Sequence, residues 1–138
     1  MGAFNGTLDV ATDLLWTNSA DAAVVTRGSG FTVRWSGGDP TQLVSISGGS
    51  STLNQDGSIS FNIYTCYANN SAGQFAIPAN ILTQIPASVV TGSGAAATVS
   101  RGTMSLGTTG FGTRFTASGV DYFTATNTWN ISTSTQYK

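Results

Sequence analysis

Histidine and glutamate are both missing from the 138 residues, and only 8% of the chain is charged. Histidine is the one side chain whose ordinary pKa lies near neutrality, so its absence removes the commonest general base, proton shuttle and metal ligand together. A serine nucleophile would then depend on lysine, and the sole lysine, Lys138, is terminal. One cysteine, Cys66, excludes an intrachain disulfide and a thiolate metal cluster, and reads as a small buried hydrophobe. Basic residues are equally few: Arg27, Arg34, Arg101, Arg114 and Lys138 stand against six aspartates, a net charge of −1 that offers nucleic acid no basic stripe. No apolar run reaches the length of a membrane span. Glycine-rich runs such as Gly28-Ser29-Gly30 lack the Gly-Lys-Ser/Thr ending of a phosphate loop and read as turns. These absences point to binding or building rather than turnover. No enzyme activity and no cofactor are expected.

What is present is glycine, serine and threonine spread along a chain of single-domain length, residues 1–138, with 40% hydrophobic residues. Period-2 alternation dominates. Phe31, Val33 and Trp35 fall on one face of a strand, and Thr32, Arg34 and Ser36 on the other. After the turn Gly37-Gly38-Asp39-Pro40, Val44 and Ile46 alternate with serines in a strand expected to end at Gly48-Gly49-Ser50-Ser51. Asp56-Gly57 then turns the chain into a long alternating segment. Ile59, Phe61, Ile63 and Thr65 are expected to face its core side, and Asn62, Tyr64 and Cys66 the other. Pro78 before Ile81, Leu82 and Ile85, with Pro86 after them, predicts one short helix near residues 78–85. Residues 92–97 read as a loop or a loose strand edge, and a bulge is expected near Gly102. Residues 111–117 and 120–131 read as the last strand pair, joined by Ser118-Gly119. Leu8, Val10 and Leu14-Leu15-Trp16 suggest one amino-terminal strand or turn, and residues 22–26 another. Seven to nine short strands with regular turn signals predict an all-β fold, an antiparallel immunoglobulin-like β-sandwich, with a jelly roll as the alternative.

Several segments carry a resemblance together: Phe31-Thr32-Val33-Arg34-Trp35 with Val44-Ser45-Ile46-Ser47-Gly48, then Tyr64-Thr65-Cys66-Tyr67-Ala68, Ser71-Ala72-Gly73-Gln74-Phe75-Ala76-Ile77-Pro78, Ile81-Leu82 and Ile85-Pro86-Ala87-Ser88. Over roughly residues 30–125 the chain resembles a β-rich domain at the carboxyl end of modular secreted proteins from acidobacteria and related soil bacteria. The resemblance implies a β-rich fold, an extracellular or cell-surface location and no catalytic residues. The low-charge, hydroxyl-rich composition fits that location, and the chain is expected to be a mature or excised piece of a secreted protein.

Candidate chemistry is sparse. The aspartates at 9, 13, 21, 39, 56 and 121 show no paired-carboxylate motif for glycoside hydrolysis. Asp9, Asp13 and Asp21 could join carbonyl oxygens around calcium, but the spacing of an EF-hand is missing and exposed loop acids are the preferred reading. Trp16 and Trp129, set among polar neighbours, are the candidates for stacking on a sugar, with Tyr67, Asn69 and Asn70 as further ligand-binding candidates, whereas Trp35 is expected in the core. Residues 124–136, rich in threonine and serine and free of lysine, are a candidate edge for strand addition between copies. The expected role is a non-catalytic structural or interaction module, meeting neighbouring domains of a parent protein, a surface glycan or another protein through loops 37–40, 48–56 and 68–73. The alternatives are a carbohydrate-binding module and a subunit of an extracellular fibre or surface assembly.

Overall fold

The computed structural model describes residues 7–8, 10, 12–92, 98–109, 112–117 and 119–138. Twelve strands run through them: β1 (Leu15–Trp16), β2 (Val24–Val25), β3 (Phe31–Ser36), β4 (Leu43–Leu53), β5 (Ile59–Asn69), β6 (Gln74–Ile77), β7 (Val90–Thr91), β8 (Thr98–Val99), β9 (Gly102–Thr109), β10 (Thr113–Ala117), β11 (Val120–Ala125) and β12 (Asn130–Tyr137). The helix α1 (Ala79–Leu82) follows Pro78 and is a single turn, shorter than the sequence suggests; the chain continues as turns to Ile85 and then meets Pro86. The fold is an all-β sandwich. One sheet has the order β1-β3-β6 and the other β2-β12-β9-β4-β5, while β7-β8 and β10-β11 form separate two-stranded ribbons.

The alternation read in β3 holds, because Val33 and Trp35 are buried and Arg34 and Ser36 are exposed. With Trp16 and Ile77 they form the inner face of the smaller sheet, against Val25, Val44, Ile46, Tyr64, Met104, Leu106 and Tyr137 of the larger one. Each such side chain taken out of water contributes roughly 1.5–3 kcal/mol against the entropy of ordering the chain. Leu82 and Ile85 close one flank of this core, held there in part by Arg27, whose Nη1 donates to the Ile85 carbonyl at 2.7 Å. Asn70 pins another corner: its backbone oxygen accepts from Trp35 Nε1 at 2.9 Å and its Nδ2 donates to the Gly37 carbonyl at 2.9 Å.

Five expectations change. The strand expected to stop at Gly48 continues to Leu53, so residues 48–53 are strand and not a display loop. Glycine serves close approach there: a Cβ on Gly48 would lie 2.5 Å from Tyr64 Oη and 2.6 Å from Tyr137 Oη. In β5 the expected faces are exchanged. Tyr64 is buried while Ile59, Phe61 and Ile63 point to solvent. Near Gly102 the chain changes partner instead of bulging, since β8 pairs with β7 and β9 with β4 and β12. Residues 120–131 are not one strand, because β11 pairs with β10 and β12 is a separate strand. Nor is the sheet wholly antiparallel: β2 runs parallel to β12. The expectations placed on Asp9, Phe111, Ser118 and residues 93–97 lie outside the described residues. Leu8 and Val10 are outside any strand, and residues 19–23 form a 3₁₀ turn before β2.

Candidate functional site

The exchange of faces in β5 builds the most distinctive surface of the molecule. The hairpin β4-β5 is closed by residues 54–58, where the Asp56 carboxylate accepts from the backbone N–H and hydroxyl of Ser58 at 2.9 and 2.6 Å. Those two hydrogen bonds favour the charged form and hold the Asp56 carboxyl below its ordinary pKa. Eleven residues of each strand then pair in register without a break, from Leu53 with Ile59 to Leu43 with Asn69. Odd-numbered residues of both strands share the outer face. On it stand Leu43, Leu53 (73% exposed), Ile59, Phe61 (75%), Ile63 (81%) and Tyr67, which are six of the twelve large hydrophobics exposed among the described residues.

Even-numbered residues of the same strands turn the other way: Val44, Ile46, Gly48, Ser50 and Tyr64 are buried and Cys66 and Ala68 partly so, while Ser60 and Asn62 near the hairpin end are exposed. Two tyrosines explain why the face carrying Tyr64 goes inward. Tyr64 and Tyr137 bring their phenol oxygens together over Gly48, and Tyr137 Oη donates to the Thr103 carbonyl at 2.9 Å. Burial is the main cause of the upward displacement of both phenols, and the neighbouring Tyr137 adds to it for Tyr64. Placing Ile59, Phe61 and Ile63 inside would turn this tyrosine, Cys66 and Ala68 out and take from the space over Gly48 the phenol that fills it. Cys66 itself is half-buried, and burial raises its thiol above the ordinary pKa, which keeps it a poor nucleophile.

Leu53, Ile59, Phe61 and Ile63 are contiguous, while Tyr67 and Leu43 stand beyond the Ser47–Thr65 pair. With roughly 150–250 Å² for an aromatic side chain and somewhat less for an aliphatic one, the exposed fractions of those four amount to on the order of 450 Å², the size of the largest apolar patch on a typical monomer, roughly 300–600 Å², which is often functional. Beside it lies an open depression of about 440 Å³, floored by Gly49, which has no side chain between Ile63 and Thr103, and bordered by Ser51, Phe61 and Arg101.

The ligand candidates read from the sequence do not converge. Trp16 is in the core at 3% exposure, its Nε1 donating to Asn18 Oδ1 at 3.1 Å, so it presents no stacking platform; its pairing with Trp35 in β1-β3 outweighs the polar neighbours that suggested a surface position. Trp129 is half-buried against the core, and Asn70 is a buried structural anchor. Tyr67 and Asn69 do lie on the outer face of β5, at its far end. Of residues 124–136, Thr124 and Ala125 belong to β11 and pair with β10, while β12 pairs with β9 from Asn130 to Thr135 and β2 reaches only Gln136 and Tyr137, so among the described residues the other side of 130–135 bears no strand. Among the described residues no three histidine, cysteine or acidic side chains stand together as a metal site, and no helix is long and apolar enough to cross a membrane. No protein-family model, curated protein or solved structure matches the chain.

Proposed function

We propose that the chain is a non-catalytic interaction module of a bacterial secreted or cell-surface protein, an immunoglobulin-like sandwich that docks through the outer face of β4 and β5. The observation that carries this reading is the apolar stripe of Leu53, Ile59, Phe61, Ile63 and Tyr67 on a face that none of the described residues covers. The strand order supports the topology: β9, β12 and β4 form the centre of one sheet with β5 added at its side, β3 and β6 lie in the other, and the amino-terminal segment gives one short strand to each. A jelly roll would need two four-stranded Greek keys, which this order does not supply. Low charge and abundant hydroxyls, together with the resemblance to acidobacterial secreted domains, support the location. Neighbouring domains of a parent protein and other surface proteins are the partners this face suits.

The test compares the binding of the dye bis-ANS to the folded domain and to the double variant Phe61→Ser/Ile63→Thr. Strong emission from the wild type, lost in a variant with unchanged near-ultraviolet circular dichroism, is expected. Equal emission from both proteins overturns the reading.

The depression beside the stripe favours a second reading, glycan binding, with the Phe61 ring as platform and Ser51, Thr103 and Arg101 as hydrogen-bonding groups. It moves the sugar site away from Trp16 and Trp129. Retention on a glycan array that survives Phe61→Ala would sink it.

A further inference from the structure

β5 is the outermost strand of its sheet. Both ends of its ladder fix the direction of its backbone groups: Asn54 N–H donates to the Ser58 carbonyl at 2.8 Å, and Asn70 N–H to the Gln42 carbonyl at 2.9 Å. Bonded pairs alternate along an antiparallel ladder. The even-numbered residues of β5 therefore bond to β4, and the N–H and C=O groups of residues 59, 61, 63, 65, 67 and 69 point to the open edge. Protected edges carry lysine, proline, a bulge or an inward charge. Ile59–Asn69 has no charged residue, no proline and no glycine, and its register to β4 is unbroken.

Resting on the docking reading above, we propose that the occupant of this edge is a second copy of the chain, with the two β5 strands paired antiparallel about a two-fold axis. The strand is complementary to itself. Full overlap places residue 59 opposite 69, 61 opposite 67 and 63 opposite 65, so every outward backbone group finds a partner. Side chains then meet as cross-strand neighbours, with Phe61 of each copy beside Tyr67 of the other and Ile63 beside Thr65. No charge in the strand opposes a copy of itself, and the net charge of −1 adds little repulsion between molecules. The same strand meets itself about the two-fold, so pairing at β5 closes a dimer and does not itself propagate a fibre.

Sedimentation velocity from about 1 µM to about 1 mM, a range that reaches weak association, tests this together with residue-resolved amide exchange. The mass is expected to rise from 14.1 kDa to twice that value, while the odd-numbered amides of residues 61–67 slow by about tenfold and the even-numbered ones, already bonded to β4, do not. Ile63→Pro deletes an outward N–H that the fold does not use and should return the protein to a monomer. Should that variant fail to fold, the odd-even exchange pattern decides alone. A wild type that stays monomeric throughout overturns the second copy and leaves the docking face to stand on the dye test. A dimer lost in Phe61→Ser/Ile63→Thr but kept in Ile63→Pro, or one without the alternating exchange, overturns edge pairing and keeps the face. Dimerisation unchanged in both variants overturns the edge pairing and the docking face alike.

Discussion

β5 and β12 look alike on paper and end in opposite situations. Both are long, uncharged and alternating, and each is paired along most of its length on one side only: β5 with β4, and β12 with β9 from Asn130 to Thr135, β2 reaching Gln136 and Tyr137 alone. β12 carries serines and threonines that suit such a place. β5 carries Ile59, Phe61 and Ile63, which suit a core, and it shows them to water. Polarity alone therefore does not decide which face of a strand turns inward. What separates the two is the company each keeps: β12 delivers Tyr137, at 0% exposure, onto Gly48, and that aromatic claims the space on which the inner face of β5 must close.

Removing the anchor of that contrast should have the largest effect. Tyr137→Ala or Tyr64→Ala is expected to cost roughly 3–5 kcal/mol, as for large buried aromatics, read as a lower urea midpoint; a loss under about 1 kcal/mol for both, the range of exposed sites, would mean that β5 is not held by its tyrosine face. Gly102→Ala comes next. A Cβ there would collide with the Gly49 carbonyl of the neighbouring strand and press on the Tyr137 ring at 2.8 Å, so a cost of about 1–3 kcal/mol from overpacking is expected in the same titration. Asn70→Ala should lower stability by roughly 1–3 kcal/mol, because the Gly37 carbonyl loses its donor, and a thermal melt unchanged within error would return Asn70 to the list of ligand residues.

Alkaline pH sharpens the comparison from another side. Tyr64 and Tyr137 are both raised above the ordinary value of 10.0 by burial. The unfolded chain then ionises first as pH climbs, so the stabilisation is complete below pH 10 and is lost above it, towards the folded-state values. Tyr64→Phe removes one of these groups and should move the alkaline midpoint of tryptophan fluorescence upward; a midpoint that moves down would contradict the assignment. The smallest effect is expected on the outer side of the same strand, where Phe61→Ala should change stability by no more than about 0.5 kcal/mol, even as it weakens dye binding.

Much of the fold was legible in residues. The alternation of Phe31, Val33 and Trp35 gave β3 and its buried face, Asp56-Gly57 gave the hairpin turn, and Pro78 marked the start of α1. The candidate site was not legible, because both faces of residues 59–69 carry apolar side chains and periodicity reports that a strand alternates without saying which set is inside. A signal was available in Gly48-Gly49, since glycines within a strand mark close approach of a neighbour, but it resembles a turn when no partner is known. Trp16 shows the same limit: Thr17 and Asn18 make its neighbourhood polar in sequence, and pairing with Trp35 places it in the core.

The sequence by itself determined that this is a β protein without the side chains of acid-base catalysis, since strand periods and missing residue types are properties of the chain alone. The tertiary structure decided which strand became the edge and which face of β5 met water. Those choices depend on how Tyr64, Tyr137, Gly48 and Gly102, from four different strands, share one volume, and that sharing exists only after residues far apart in the chain have come together.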